Sequence, residues 1–199
     1  MQRCDLDQVE PSDEVLCARV GAGDESAFDL LVERYQQRAF RLAWSLVHHT
    51  EDARDLSQEA FIRLWESAGS FRGRSRFSTW FYRLLVNLCL DHRRKHRWWH
   101  QAFRREERGD DDAPSALEQQ PAPGVDPIEI LGRERTSARV WDAAASLSPQ
   151  QRAVLVLHVQ EELAMSEVAR VMGCAEATAR VHLHRALTAL RATLGKGDA

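Results

Sequence analysis

The chain is poor in the residues that signal membranes, secretion and metal frameworks. No run approaches the roughly 18 apolar residues that a membrane-spanning helix needs. Residues 1–10 are polar and acidic, not the basic start and apolar stretch of a signal peptide. Only four of 199 residues are cysteine (Cys4, Cys17, Cys89 and Cys174), scattered without a CxxC pair. That argues against a disulfide framework and against a zinc site made of cysteines alone, and it fits a reducing cytoplasm. Lysine is scarcer still: Lys95 and Lys196 are the only two among 27 basic residues. The arginine that replaces it suits phosphate and base-edge contacts, although GC-rich coding produces the same excess. Glycine-rich phosphate loops, nucleophile elbows and paired-histidine zinc motifs are missing too, so an enzyme is the least supported reading. No convincing period-2 segment marks a strand.

What is present is an apolar fraction of 44%, enough for packed cores, and a charge that changes sign along the chain. The net charge of −3 conceals −7 over residues 1–71, +8 over 72–108, −5 over 109–136 and +1 over 137–199. A basic band interleaved with aromatic residues is an electrostatic footprint for nucleic acid. Within the front part, Phe28, Leu31, Tyr35, Ala39, Leu42 and Leu46 recur at helical steps, with Asp24 as the expected N-cap. Ala53, Leu56, Ala60 and Leu64 form a second stripe, widened by Phe61, Trp65 and Ala68 and ended by Gly69. After a loop over 70–75, Phe77, Phe81, Leu84, Leu85 and Leu88 form a third.

Residues 104–127 break the pattern with four of the six prolines, two glycines and three consecutive aspartates. Such composition buries too little apolar surface to offset chain entropy, so a flexible acidic linker is expected there. Helical patterning resumes near Ile128. The expected fold is therefore all-α: two small helical domains, 1–103 and 128–199, joined by the 104–127 linker. In the second, Val168, Ala169 and Met172 form one face of a short helix and Gly173 permits a turn. The helix that follows has Thr178 near its start and Val181, Leu183, Leu187 and Leu190 as expected core. Its outer side would present Arg180, His182, His184 and Arg185, a helix-turn-helix face fit for phosphates and base edges.

Four blocks, in order, resemble one family. Gly23–Tyr35 (GDESAFDLLVERY), Glu51–Trp65 (EDARDLSQEAFIRLW), Ser70–His96 (SFRGRSRFSTWFYRLLVNLCLDHRRKH) and Leu147–Leu187 (LSPQQRAVLVLHVQEELAMSEVARVMGCAEATARVHLHRAL) resemble the extracytoplasmic-function (ECF) group of bacterial sigma factors. The resemblance implies a sigma region 2 helical bundle and a sigma region 4 helix-turn-helix. It implies that Asp52, Asp55, Gln58 and Glu59 dock on core RNA polymerase. It further implies that Phe71, Arg72, Arg74, Arg76 and Asn87 melt the −10 element and cradle a flipped base. Arg93, Arg94, Lys95 and Arg97 would lie on duplex phosphates, and Arg180, His182, His184 and Arg185 would read the −35 element.

The second domain departs from the family's usual T-V-(K/R)-S-R run, which here reads Thr178, Ala179, Arg180, Val181, His182. His158 and His182 stand where some members carry arginine, and neutral histidine attracts phosphate less. Ala164 replaces a serine often found before the first motif helix, removing a side-chain cap.

Partners implied by the resemblance are the polymerase core, through its largest and second-largest subunits, promoter DNA and an anti-sigma factor, with no membrane insertion. The expected location is the cytoplasm, at the nucleoid or held at the membrane by that anti-sigma factor. No cofactor is expected. His92, His96 and His100 share one helical face and could ligate zinc, nickel or copper, but the neighbouring arginines repel a dication. The preferred reading there is a basic helix end without metal, and for Cys174 it is packing. The competing function is a helix-turn-helix regulator that acts without joining polymerase.

Overall fold

The computed structural model describes residues 10–106, 144 and 146–194, with side chains described at 10–95, 144 and 146–193. Apart from a short 3-10 turn, every regular element among them is an α-helix: α1 (Asp13–Val20), α2 (Glu25–Val47), α3 (Thr50–Ser67), α4 (Phe77–Glu106), α5 (Pro149–Val159), α6 (Met165–Met172) and α7 (Glu176–Leu194). The all-α expectation holds. Most of the proposed linker, 107–127, and the resumption near Ile128 lie outside the described residues, while α4 runs three residues into the stretch read as linker.

Local chemistry sets the helix ends. Asp24 caps α2 by accepting from Ala27 N at 3.1 Å, while Arg19 holds its other carboxylate oxygen at 2.8 Å. The junction after α2 is made by two histidines. His48 takes the left-handed conformation (φ 59°) with its ring edge-on to Trp44, and His49 accepts from Asp52 N to start α3. Between α3 and α4, Ala68–Ser70 form the 3-10 turn. A Cβ on Gly21 would lie 2.9 Å from Gly69 Cα, so glycine there is required by the close approach of two backbones.

The predicted stripes pack as one core. Leu31, Tyr35, Ala39, Leu42 and Leu46 from α2 meet Ala53, Ala60, Phe61 and Leu64 from α3 and Phe77, Phe81 and Leu85 from α4. Burying each large side chain contributes about 1.5–3 kcal/mol before entropy is counted. At the centre, Tyr35 sits edge-on to Phe77 (5.1 Å) and Phe81 (5.6 Å), and its hydroxyl donates to Asp13 Oδ2 at 2.5 Å. Burial and the Asp13 carboxylate push the Tyr35 phenol well above its ordinary pKa. Asp13 also accepts from Arg34 at 2.7 Å, which binds α1 to α2.

Helix α1 has no counterpart in the sequence reading; its capping serine, Ser12, and buried Leu16, Cys17 and Val20 are too short a pattern to stand out. Trp65, counted with the buried stripe, is 39% exposed on α3. Val181, counted as core of α7, is 48% exposed. There the buried positions are Ala179, Ala186 and Leu190, with Leu183 partly buried. The helical phase is shifted because small alanines let α7 sit close to its neighbours.

In the second helical group, α5 begins with a complete capping box: Ser148 Oγ accepts from Gln151 N and Gln151 Oε1 accepts from Ser148 N, with Pro149 at the first helical position. At α6 the missing serine leaves half a box, in which Glu167 Oε2 accepts from Ala164 N at 3.3 Å. Gly173 follows α6 in the left-handed conformation (φ 64°), as its role in the turn requires.

Candidate nucleic-acid and polymerase interface

Three faces carry the sequence-predicted site residues. The first is the outer side of α3. Asp55 and Gln58 are exposed, whereas Asp52 and Glu59 are already engaged. Asp52 Oδ2 meets His92 Nε2 at 3.1 Å and His49 Nδ1 at 3.4 Å, and Glu59 pairs with Arg63 at 2.8 Å. Continuing at helical steps from Asp55 and Gln58 are Ile62 (52% exposed) and Trp65. Two apolar side chains thus extend the polar pair into one amphipathic stripe. Sequence reasoning missed Ile62 and assigned Trp65 inward; the signal was that α3 has more apolar residues than one buried face can take.

The second face is the loop before α4 with α4 itself. Arg72, Arg74 and Arg76 are exposed on the loop, where Gly73 adopts φ 64°. Phe71 is half-buried, its ring 5.3 Å from Trp80 and 6.3 Å from Phe77. Asn87 is exposed two turns beyond Trp80, roughly 10 Å farther along α4 at 1.5 Å per residue. It lines a groove of about 400 Å³ between α3 and α4 with Leu56, Glu59, Leu84, Asp91 and Lys95. Phe71 and Asn87 therefore occupy successive stations along the helix rather than one pocket.

The basic end of α4 is less uniform than its sequence. Arg94 pairs with Asp91 at 3.0 Å and Lys95 is exposed. Arg93 turns inward, half-buried, and donates to the Leu46 carbonyl at 2.8 Å. The side chains of Arg97, His96 and His100 lie outside the described residues, and no metal-binding cluster occurs among the described ones. Burial pushes the Cys17 thiol up to about 11 and the Cys89 thiol to about 12, which makes both inert, and Cys174 is half-buried against the core.

The third face is α7. Thr178, Val181, His184 and Arg185 are exposed at steps of 3, 3 and 1, one outward patch on the first turns of the second motif helix. Arg180 is exposed beside it and paired with Glu176 at 2.5 Å. His182 differs from expectation: it is half-buried, with Nδ1 buried and making no hydrogen bond. His158 holds the approach to α6, its Nδ1 donating to the Leu163 carbonyl at 2.9 Å.

A short helix, a glycine turn and an outward-facing second helix, behind a helical bundle bearing a basic loop, match two family descriptions in the same order. Sigma-70 region 2 covers residues 31–99, and sigma-70 region 4 covers 137–190. Those two regions define the class: sigma factors, non-enzymatic subunits that bind RNA polymerase core and promoter DNA.

Whole-chain similarity narrows the class. The chain is 33% identical over 188 residues to the RNA polymerase sigma-H factor of Pseudomonas aeruginosa, covering 91% of this chain and 93% of that protein. It is 32% identical to the ECF sigma-E factor of Escherichia coli K12, covering 90% and 92% respectively. Among solved structures, it is similar in fold to CnrH in complex with the cytosolic domain of CnrY (TM-score 0.66, 22% identity, covering 94% and 99%). It is likewise similar to RpoE of Bartonella quintana in complex with the anti-sigma factor NepR (0.65, 21%, covering 84% and 96%). The chain belongs to the ECF sigma factors of the sigma-70 family and directs transcription initiation. No helix among the described residues is long and apolar enough to cross a membrane.

Proposed function

We propose that initiation by this chain is divided among the three faces. The outer stripe of α3, centred on Asp55 and Gln58 and extended by Ile62 and Trp65, docks on core polymerase. The loop carrying Arg72, Arg74 and Arg76, with Phe71 and Asn87, captures the unpaired strand of the −10 element. Stacking surfaces and a basic groove are what a separated strand requires. The outward patch of α7 reads the −35 element, with Arg180 and Arg185 for phosphates and base edges. Val181 adds an apolar surface that fits a thymine methyl. His184 belongs to that α7 patch, Asp52, Glu59, Arg94 and Lys95 flank the faces, and Arg93 and His182 shape them from within.

The polymerase-binding domain continues to the end of α4 at Glu106, residues 107–127 serve as an acidic tether, and 128–199 as the −35 domain. An anti-sigma factor is the expected regulator, since the relatives of known structure include complexes with CnrY and NepR. The working compartment is the cytoplasm.

The observation that carries this reading, against a regulator acting without polymerase, is the α3 stripe. A stand-alone DNA reader has no use for exposed Ile62 and Trp65 beside unpaired Asp55 and Gln58 on a helix remote from its reading head. Replacing Asp55 with lysine and Gln58 with alanine is expected to lower core affinity at least tenfold with helicity unchanged, because neither side chain supports the core. Co-sedimentation with core polymerase and circular dichroism measure the two quantities. Unchanged core affinity in the folded double variant would place the docking face elsewhere.

A further inference from the structure

The loop that carries Phe71, Arg72, Arg74 and Arg76 depends for its shape on its two ends. Among the described residues, 72–75 make no hydrogen bond or ion pair, and a Cβ placed on Gly73 would meet nothing within 4 Å. The first end is the 3-10 turn Ala68–Ser70, on which Phe71 N donates to Ala68 O at 3.0 Å. The second is Phe77, where α4 begins.

Both ends meet α1. At the first, backbone lies on backbone: a Cβ on Gly21, just past α1, would stand 2.9 Å from both Cα and N of Gly69. At the second, Glu14 Oε1 accepts from Phe77 N at 3.0 Å. From Glu14 to Gly21 a helix advances about 10 Å at 1.5 Å per residue. Fully extended, residues 71–76 would span about 20 Å. The loop therefore has slack, and the two contacts take it up. Helix α1 is itself fixed on α2: Leu16, Cys17 and Val20 are buried, Asp13 accepts from Arg34 and from the Tyr35 hydroxyl, and Arg34 also donates to the Pro11 carbonyl at 2.9 Å. It precedes residues 31–99, which match sigma-70 region 2.

The amide held by Glu14 belongs to the residue that supports the capture surface. Phe77 is fully buried, with its ring 6.3 Å from Phe71 and 6.1 Å from Trp80. The N–H groups of a first helical turn have no partner within their own helix, and a turn left without a cap frays. Fraying at Phe77 would move the support beneath Phe71. One such bond adds little to folding, but a stacking surface that must first be ordered returns less of its binding energy to a base leaving the duplex. Loss of the bond is therefore felt in strand opening more than in stability.

We propose that α1 braces the −10 loop, with Glu14 as the positioning residue that sets Phe77 and, through it, Phe71 for capture of the unpaired base. The proposal rests on the initiation reading above, which assigns Phe71 to the separated strand.

The test uses full-length variants with core polymerase and follows opening by the fluorescence of 2-aminopurine in the −10 element over a range of holoenzyme concentrations. Glu14→Ala is expected to slow opening at saturation by about fivefold or more, with the half-saturating concentration and the helicity unchanged. Glu14→Gln, whose amide oxygen still accepts from Phe77 N, is expected to stay within about twofold of the parent. In a Phe71→Ala background, Glu14→Ala is expected to add less than about twofold, because both act through one surface. A residue that only stabilised the fold would lower recruitment and opening together, and its effect would multiply with that of Phe71→Ala. Unchanged opening by Glu14→Ala, an equal loss in Glu14→Gln, or effects that multiply in full each overturn the brace. If Phe71→Ala by itself opens the promoter at the parental rate, the initiation reading of the loop fails and the brace with it. If Phe71→Ala is impaired and Glu14→Ala is not, the brace alone fails.

Discussion

Val181 is the residue at which the fold leaves a choice open. Its neighbours Ala179 and Ala186 are wholly buried, while Val181 is 48% exposed and belongs to neither buried cluster. An apolar side chain between Thr178 and Arg185 offers a base-edge patch that hydrogen bonds cannot use but a thymine methyl can. Burying one methyl group contributes about 0.8 kcal/mol, close to fourfold in affinity. Replacing individual thymines of the bound −35 element by deoxyuridine is expected to weaken holoenzyme binding about fourfold at one position. Val181→Ser should become indifferent to that same replacement. Equal sensitivity in both proteins, measured by competition binding, would show that Val181 does not meet that methyl group. The sequence spacing could not reveal this exposure. A valine at a helical step from Leu183 and Leu187 reads as core until the phase of α7 against α5 and α6 is known.

At the scale of the element, α4 owes its start to another helix. Glu14 of α1 accepts from Phe77 N at 3.0 Å, supplying across 63 residues the cap that the loop sequence does not provide. That bond holds the Glu14 carboxyl below its ordinary pKa. Because the folded value is depressed, the stabilisation is present above the unfolded pKa and is lost as pH falls through the folded one. Glu14→Ala is therefore expected to lower stability at pH 7 by about 1 kcal/mol or less, given the solvent screening of this side chain. The gap between variant and parent should close as the pH drops below the ordinary glutamate range. Thermal unfolding followed at pH 7 and pH 3 measures both. A gap that persists undiminished at pH 3 would show that the carboxylate is not the cap. By contrast, the caps of α2 and α5 were legible beforehand or lie within three residues of their partners, since Asp24 and Ser148 act on their own helices.

The molecule as a whole is governed by how two helical groups are joined. Between them the acidic stretch at 109–127 carries five acidic and no basic residues. An acidic tether is repelled by DNA and drawn to basic protein channels, so its expected place during initiation is within the polymerase rather than on the promoter. Exchanging it for a neutral Gly/Ser chain of equal length keeps a similar reach. The exchange is expected to change the length and yield of abortive transcripts on a pre-melted promoter while leaving promoter binding intact. An identical abortive pattern would reduce the segment to a passive tether.

The sequence by itself determined the helical class, the division into two groups and the order of the functional blocks. The first two are written in local periodicity and composition: a stripe every three to four residues, a glycine at a turn, a burst of proline and aspartate between stripes; the third rests on the resemblance of the four blocks to the ECF sigma factors. It also placed Asp55, Gln58, Arg72, Arg74, Arg180 and Arg185 on exposed faces, because charged side chains seldom accept full burial. Only the tertiary structure decided which exceptions hold. Arg93 and Arg152 turn inward because the carbonyl end of α2 gives buried guanidinium groups an acceptor that no spacing rule records. Trp65 and Val181 turn outward because smaller neighbours fill the core at their level. The pairing of Ser45 with Gln160 joins positions 115 residues apart. Contacts of that separation depend on how whole faces meet, and a face is complete only when every helix that forms it is in place.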